Sequence, residues 1–482
     1  MNNKSINTSD PVLFIEDDEP FIRKISALLN KSEITNIQTI VDIGRIKLDM
    51  EKNEFKYSFI LLNLSLPGIV EEGITSEIIT KYPKIPLIII STDDNVENAV
   101  QYMKQGVLYY YNNKKGIEEE LVKKILHGIR LYESIKPIIT QSKKMRPIFG
   151  QLAKIAPTKK AVLIRGESGV GKEQIARVIH ENSQSTGRYR TLNVAALTPE
   201  LFNDTLFGHI KGTFTDARED RLGLIQVCDG GSLFLDEIGK LMPELQQNLL
   251  RLVQFGTFEK GGVDVQQKAN VRFIFAANEN IEECIYEKKF LHDFYERIKG
   301  NTIFIPPLRE RKEDIPSLVD HFLEKNVLIE KVVDCPKKYE KAFIERLSMQ
   351  DFNGNIRELE DLIGNLSILF SGCERLTASM LEDFVDEKKE CTVKMEEGQE
   401  KLPKKFPTFL DVEASYYREV LRQAGGSQKK ITEISGFIPR TFFNRLRSLK
   451  ERLKDDGVDF ETFPPITELL KPFTEARDDN KK

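Results

Sequence analysis

The chain has 482 residues, of which 30% are charged and 40% hydrophobic, and its formal net charge is −4 at pH 7. This length predicts about three domains, each large enough for its own core. The near balance of charge excludes a chain that is basic over its whole surface, so any surface that binds nucleic acid must be local.

The cysteines and the first residues bear on the cellular compartment. Five cysteines lie far apart along the sequence. Their odd number and wide spacing argue against a disulfide framework and against a zinc site, and favour a reducing compartment. The opening MNNKSINTSD lacks an apolar signal region, and there is no run of about twenty apolar residues. We therefore expect a cytoplasmic protein without a membrane span.

Short apolar runs alternate with amphipathic segments from Pro11 to Tyr132. This alternation is typical of a doubly wound parallel sheet. The predicted strands are Val12–Ile15, Phe59–Leu62, Leu87–Ile90 and Leu108–Tyr111, with helices between them such as Phe21–Leu29 and Val96–Gln105. Polar residues follow the strands, where ligands bind in such sheets. They are Glu16, Asp17, Asp18, Asn63, Ser91, Asn113 and Lys114.

This first segment, residues 1–137, resembles the receiver domain of two-component response regulators. FIEDDEP is similar to the acidic magnesium pocket of that family, and LLNLSLPG to its phosphoacceptor strand. The phosphoacceptor aspartate of the family aligns with Asn63, and an amide cannot form an acyl phosphate. The later lysine of the family aligns with Asn113. The resemblance thus implies a scaffold that is not phosphorylated at residue 63, in which Glu16 and Asp17 either bind a cation or form a solvated acidic loop.

A domain boundary is expected near residue 138, between predicted helices at Val122–Pro137 and Pro147–Ala156. The next strand ends at Arg165 and leads into the glycine-rich loop GESGVGKE. A strand, a glycine loop and a helix in this order predict a loop that binds phosphate through its backbone N–H groups and the helix N-terminus. Lys172 is expected to reach the terminal phosphates of a nucleotide.

The segment GGSLFLDEIG predicts a second part of the same site. Ser232–Leu235 has the pattern of a buried strand, and two acidic residues stand at its carboxyl end. Asp236 is expected to hold Mg²⁺ through water, and Glu237 to orient and polarise the attacking water. On its own an acidic pair of this kind is most often a solvated strand end, and the glycine loop upstream favours the nucleotide interpretation.

The segments GESGVGKE, LFGHIKGTFTDA, GGSLFLDEIG, PPLRERKEDIP and GNIRELE occur in the order and spacing of bacterial enhancer-binding proteins. Those proteins are AAA+ ATPases of the NtrC type that activate RNA polymerase carrying sigma-54. The resemblance covers residues 140–385 and implies an α/β ATPase core with a helical lid. It also implies ATP and Mg²⁺ as cofactors and assembly into a ring.

The resemblance assigns a role to individual residues. It implies that Asn193 restrains Glu237, that Arg297 is an arginine finger for the neighbouring subunit, and that Asn278 and Arg357 read the phosphates. Phe214 and Thr215 match the residues that contact sigma-54, although on chemistry alone Phe214 would more often pack in a core. The nucleotide contacts implied by the resemblance are Gly166, Glu167, Ser168, Gly169, Val170, Gly171, Lys172, Glu173, Asn278 and Arg357, and the catalytic residues are Lys172, Asp236, Glu237, Asn193 and Arg297.

Two departures from the family pattern bear on the function. Asp216 stands where the sigma-54 loop has a glycine, and Leu291 stands where the first arginine finger would be. These departures keep a second hypothesis open. In it the chain is a DNA-binding regulator or a partner-binding subunit that binds nucleotide for assembly but does not activate sigma-54.

The C-terminal segment predicts an all-α DNA-binding module. Residues 386–405 have the composition of a linker, 406–455 resemble the helix-turn-helix of the factor-for-inversion (Fis) type, and 456–482 form a polar tail. A helical pair with a solvated basic face is the alternative. The candidate DNA contacts are Lys429, Lys430, Arg440, Thr441, Asn444 and Arg445.

Together these features predict a sigma-54-dependent transcriptional regulator. We expect it to bind double-stranded DNA upstream of a promoter, to form a homo-oligomer ranging from a dimer to a hexameric ring, and to remodel the sigma-54 holoenzyme by hydrolysing ATP. Its regulation would not use phosphate on residue 63.

Overall fold

The computed structural model describes residues 10–52, 55–92, 95–112, 114, 116–183, 185–212, 219–259, 265–329, 336, 338–370 and 373–382, and isolated positions from 417 to 449. The chain divides into two compact units, Met1–Leu381 and Glu382–Lys482. No helix in the described ranges is long and apolar enough to cross a membrane.

The first part of the larger unit alternates strands and helices. Asp18 caps the first helix by accepting a hydrogen bond from the Phe21 backbone N–H at 3.1 Å, and Pro20 occupies its first turn. The elements are β1 (Val12–Ile15), α1 (Glu19–Asn30), β2 (Ile37–Thr39), α2 (Ile43–Glu51), β3 (Phe59–Asn63), α3 (Ile74–Lys81), β4 (Leu87–Ile90), α4 (Val96–Lys104), β5 (Tyr109–Tyr111) and α5 (Glu118–Ile135).

The five strands form one parallel sheet in the order β2-β1-β3-β4-β5. Every residue of β1, β3 and β4 is buried, as expected for strands covered by helices on both faces. The order reverses between β1 and β3, so their carboxyl ends flank the crevice in which doubly wound sheets bind ligands. The doubly wound sheet predicted from the sequence is therefore confirmed.

A second parallel sheet follows, in the order β14-β6-β13-β10-β7. Its elements up to the last strand are α6 (Met145–Ile155), β6 (Val162–Arg165), α7 (Lys172–Glu181), β7 (Tyr189–Asn193), α8 (Pro199–Phe207), β8 (Gly208–His209), β9 (Arg221–Leu222), α9 (Leu224–Val227), β10 (Ser232–Asp236), α10 (Pro243–Phe255), β11 (Thr257–Glu259), β12 (Gln266–Lys268), β13 (Arg272–Ala277), α11 (Ile281–Tyr286), α12 (His292–Ile298) and β14 (Thr302–Phe304). The carboxyl ends of β6, β10 and β13 meet at the centre of one sheet edge.

A helical lid follows the second sheet. It consists of α13 (Ile315–Ile329), β15 (Lys338–Tyr339), α14 (Lys341–Ser348), α15 (Asn355–Leu369) and β16 (Arg375–Leu376). Phe343 and Leu347 of α14 and Leu359 and Ile363 of α15 are fully buried, so the lid has its own apolar core.

The helix α5 joins the two sheets into one hydrophobic core. Its residues Leu121 and Ile125 are fully buried in a cluster that also includes Val12 of the first sheet and Ile303 of the second. Asn182, which follows α7, donates a hydrogen bond to the Ser134 hydroxyl near the end of α5 at 2.5 Å. The boundary that we predicted near residue 138 thus falls inside a shared core.

The smaller unit is described only at isolated positions. Helical segments include 420–422 and 429–431, and Ile431 and Leu449 are buried. Lys429 and Lys430 are exposed, as a DNA contact requires. The other predicted DNA contacts, Arg440, Thr441, Asn444 and Arg445, lie outside the described residues.

Candidate active site

The glycine-rich loop connects β6 to α7 at the centre of the second sheet. Gly169 and Gly171 have φ angles of +76° and +99°, which side chains other than glycine rarely adopt. A Cβ on Gly169 would lie 2.2 Å from the carbonyl oxygen of Gly354 in the lid. This close approach of two backbones explains why the position is a glycine.

Lys172, the first residue of α7, is buried behind this loop. Its Nζ donates to the carbonyl oxygens of Gly166 at 2.9 Å and Glu167 at 3.0 Å, and also to Oδ1 of Asn278. Burial lowers the pKa of the Lys172 ammonium, whereas the negative charges of Asp236 and Glu237 raise it. The lysine, the acidic pair and Asn278 predicted from the sequence are therefore close together in space.

The acidic pair stands where β10 ends. The side chain of Asp236 accepts a hydrogen bond from the Glu237 backbone N–H at 2.9 Å. Glu237 has a φ of +58°, which costs a residue with a Cβ about 1 kcal/mol. Strained backbone of this kind clusters at functional sites and supports the importance of Glu237. Its Oε2 accepts a hydrogen bond from Nζ of Lys240 at 2.7 Å.

Asn193 lies directly beside the acidic pair, because β7 pairs with β10 so that Asn193 is opposite Asp236. Its Oδ1 accepts a hydrogen bond from the Ala195 backbone N–H at 2.9 Å. The expected hydrogen bond from Asn193 to Glu237 is not formed in this structure, since Glu237 bonds to Lys240 instead. The proximity expected from the family is present, but the contact is not.

The predicted arginines occupy different surroundings. Arg357 lies on α15 beside the loop, and a Cβ on Gly169 would be 3.2 Å from its Cβ. Its positive charge contributes to the lowered pKa of Lys172. Arg297 is exposed on α12 and forms no ion pair with the residues that the structure describes. Leu291 precedes the same helix and packs partly buried against the core of the second sheet.

Three side chains that the sequence analysis did not single out hold the loop from its lid side. Arg309 pairs with Glu167 through two hydrogen bonds of 2.7 and 2.6 Å. Asn355 donates to the Ser168 carbonyl at 2.9 Å, and Arg311 to the Val170 carbonyl at 2.8 Å. The segments PPLRERKEDIP and GNIRELE contain all three, but only Arg357 was assigned from them.

The remaining predicted contacts are either peripheral or not described. Ser168 and Glu173 are exposed at the loop and the first turn of α7, and Glu173 lies 3.9 Å from Arg177. Phe214 and Thr215 lie outside the described residues.

In the first sheet, Glu16 is fully buried at the end of β1. Its Oε1 accepts hydrogen bonds from Nδ2 of Asn63 at 3.1 Å and Nζ of Lys114 at 2.7 Å. The alignment put the lysine of the family at position 113, but the adjacent Lys114 makes this contact. Asp17 is exposed. Among the described residues, no cluster of three His, Cys, Asp or Glu side chains could hold a metal ion.

Comparison with known families agrees with this geometry. Residues 12–126 match the response regulator receiver domain, residues 138–304 the sigma-54 interaction domain, and residues 309–397 the AAA+ ATPase lid domain. The fold and the site thus define a AAA+ ATPase that carries a receiver domain.

Individual relatives identify the family. The chain is 32% identical to the DNA-binding transcriptional regulator NtrC of Escherichia coli K12, over 79% of this chain and 81% of that one. It is 33% identical to the transcriptional regulatory protein ZraR of Salmonella typhimurium, over 76% and 82% of the two chains. The crystal structure of NtrX from Brucella abortus in complex with ATP covers 92% of this chain and 100% of its own, with 25% identity and a TM-score of 0.47. The chain belongs to the NtrC-like family of sigma-54-dependent transcriptional regulators.

Proposed function

We propose that this regulator activates transcription by hydrolysing ATP within a ring of identical subunits, and that phosphorylation at residue 63 has no part in its control. The observation that carries the proposal is the convergence of Lys172, Asp236 and Asn278 at the sheet edge where three adjacent strands end. These groups combine positive charge for phosphates with carboxylate for a metal ion.

The residues at this edge fit a nucleotide with its metal ion. The N–H groups of the glycine loop and Lys172 would hold the phosphates, and Asp236 would hold Mg²⁺. Bound there, the ion would neutralise negative charge on the phosphates. Glu237 would orient the attacking water, with Asn193 beside it, and Asn278 and Arg357 would contact the terminal phosphate.

The ring supplies a further group in this proposal. Arg297 would complete the site of the neighbouring subunit, which its exposed position on α12 supports. A planar guanidinium stabilises the charge that accumulates on a phosphoryl group during transfer. Phe214 and Thr215 would carry the resulting movement to sigma-54.

The contact between Asn63 and Glu16 in the first sheet supports control without phosphorylation. Asn63 has no carboxylate to accept a phosphoryl group, and its amide already donates to Glu16. Lys114 supplies positive charge at the same carboxylate. The signal would instead be the amount of protein, a partner protein or a small ligand.

The C-terminal unit would bind double-stranded DNA upstream of the promoter, with Lys429 and Lys430 near phosphates. Such a regulator works where the chromosome is, in the bacterial cytoplasm.

Transcription in vitro from a sigma-54 promoter tests this function. We expect the purified protein to give open complexes with ATP but not with a non-hydrolysable analogue. It should do so equally before and after treatment with acetyl phosphate.

A second function is favoured by one observation, since the position of the first arginine finger is occupied by Leu291, which is apolar and packs partly buried against the core. In that case the protein would bind DNA and nucleotide without opening the promoter. Open complexes that fail to form with ATP, although nucleotide binds, would establish this alternative.

A further inference from the structure

We propose that Arg309, Glu167 and Asn355 are positioning residues that couple the shape of the phosphate-binding loop to the orientation of the lid. This inference rests on the proposed function to the extent that the loop binds ATP. It concerns Arg309 and Asn355, which contact the loop from the lid side, and Glu167, the loop residue to whose carboxylate both of them donate.

Lid-side groups bond to four consecutive residues of the loop. The carboxylate of Glu167 bonds to Arg309, and the carbonyl of Ser168 to Asn355. Further along, the Ile356 N–H donates to the Gly169 carbonyl at 3.1 Å, and Arg311 donates to the Val170 carbonyl. The carbonyls of Ser168, Gly169 and Val170 and the carboxylate of Glu167 are thus bonded to lid-side groups, which leaves the backbone N–H groups of residues 167–170 for an anion.

Asn355 is the centre of these contacts. It is fully buried and has a φ of +57°, a backbone conformation that side chains rarely adopt. Its Nδ2 also donates to Oε2 of Glu167 at 3.1 Å, while its Oδ1 accepts from the Leu308 N–H at 2.7 Å. One amide therefore connects the loop, the segment after β14 and the start of α15, which carries Arg357 on its first turn.

Arg309 stabilises the ionised form of Glu167. The hydrogen bonds from Arg309 lower the pKa of the Glu167 carboxyl, and Asn355 lowers it further. A bidentate arginine–carboxylate pair fixes both position and direction, which a lysine cannot do. Movement of the loop on binding phosphates must therefore move the lid through this pair, or break it.

The chain offers a matched control for this pair. Lys325 on α13 bonds to Glu360 on α15 within the lid, with side chains 38% and 39% exposed, close to the 36% and 40% of Arg309 and Glu167. This second pair does not touch the loop. Loss of either pair removes one half-exposed ion pair, but only the first should affect nucleotide.

The test uses the full chain with three variants, Arg309→Gln, Arg309→Lys and Lys325→Gln. A fluorescent, non-hydrolysable ATP analogue measures binding, and hydrogen exchange of the backbone reports on residues 166–171 and 354–358. We expect Arg309→Gln to raise the Kd about fivefold, Arg309→Lys to raise it less, and Lys325→Gln to leave it unchanged. In the unmodified protein and in Lys325→Gln the analogue should slow exchange in both segments, whereas in Arg309→Gln it should slow exchange in the loop alone.

A double variant checks that the two side chains act as one pair. Glu167→Gln combined with Arg309→Gln should bind the analogue as Arg309→Gln does, because the same pair is lost in both. Equal Kd values for Arg309→Gln and the unmodified protein, or protection of the lid that persists in Arg309→Gln, would overturn the coupling. If the unmodified protein bound the analogue but did not hydrolyse ATP, the proposed function would fail. The coupling could still be tested, because its measurements need only binding. No binding by the unmodified protein would overturn both.

Discussion

Single side chains determine the character of the receiver pocket. Glu16 is fully buried, and its carboxylate accepts hydrogen bonds from Lys114 and from the amide of Asn63, which stands at the position of the phosphoacceptor aspartate of receiver domains. A buried carboxylate is costly unless a positive charge or hydrogen bonds compensate it. We therefore expect Lys114 to contribute to the stability of the fold.

Removing this lysine should destabilise the fold. We expect Lys114→Met to lower the free energy of unfolding by about 2 kcal/mol, because Glu16 is left buried without its counter-charge. Urea denaturation followed by circular dichroism measures the change. The double variant Glu16→Gln with Lys114→Met should recover part of the loss, since no buried charge remains. An unchanged midpoint in Lys114→Met would show that the ion pair contributes nothing.

His127 on α5 gives a prediction for pH. Burial, and next the charges of Lys124 and Arg130, lower the pKa of His127 to about 4. Because the unfolded chain takes up this proton near pH 6.5, the contribution to stability is complete above pH 6.5 and is lost as the pH falls towards 4.

The variant His127→Gln should therefore lose less stability than the unmodified protein between pH 6.5 and 4, by at most about 3 kcal/mol. Thermal denaturation at a series of pH values measures this slope. The exposed His292 is the control, and His292→Gln should follow the unmodified protein. Parallel curves for His127→Gln and the unmodified protein would contradict the prediction.

At the scale of elements, the glycine loop and the lid fit each other closely. Gly169 combines a φ of +76° with an approach to the Gly354 carbonyl that leaves no room for a Cβ. We expect Gly169→Ala to weaken binding of an ATP analogue at least tenfold and to lower the melting temperature, because the loop must move away from the lid. Isothermal titration and differential scanning fluorimetry measure the two effects.

Gly364 in α15 is the control for this substitution, because nothing lies within 4 Å of a Cβ at that position. Gly364→Ala should raise the melting temperature slightly, as alanine favours helix. Normal binding by Gly169→Ala would show that the loop does not need this conformation.

Buried strands were predictable as elements, whereas the edge strand β2 was not. β1 and β4 begin and end where their apolar runs do. The strand β2, Ile37–Thr39, was missed because it is a short edge strand with two exposed residues and no apolar run. The start of β5 was predicted one residue early, at Leu108, which is buried just before the strand pairs with β4.

The residues of the candidate site that lie at the sheet edge were also predictable from the buried strands. Asp236 ends one buried strand, Asn278 follows a second, and Lys172 comes after the glycine loop that follows a third. Parallel strands end at the same edge of a sheet. The contacts of Arg309, Arg311 and Asn355 depend on how the lid folds back over the loop, more than 130 residues later in the chain. The sequence pattern does not show that the lid folds back over the loop. The sequence likewise could not show that Glu237 accepts a hydrogen bond from Lys240 and not from Asn193, because this depends on side-chain conformation.

At the scale of the whole molecule, the first sheet and the ATPase share one core instead of meeting through a linker. Arg146 of α6 is almost fully buried. Its Nη1 donates a hydrogen bond to the carbonyl oxygen of Tyr82, which follows α3 in the receiver domain, at 2.9 Å. Gly106 lies against the backbone of Arg146, and a Cβ on it would be 2.7 Å from the Arg146 carbonyl carbon.

This packing predicts that the receiver and the ATPase unfold together. We expect calorimetry of the full chain to show one transition for both, and Gly106→Ala to split it in two, because the added Cβ forces α6 away. Gly116→Ala is the control, since Gly116 also has a positive φ but has open space around its Cβ. Two separate transitions in the unmodified protein would contradict the shared core.

Hydrolysis of ATP by the purified full-length protein is the most direct test of the function as a whole. We expect ATP turnover to rise with protein concentration as rings form. Lys172→Ala should abolish both nucleotide binding and turnover, whereas Glu237→Gln should abolish turnover but leave nucleotide binding intact. Hydrolysis that persisted in either variant, or that was absent from the unmodified protein at every concentration, would contradict the chemistry assigned to this edge of the sheet.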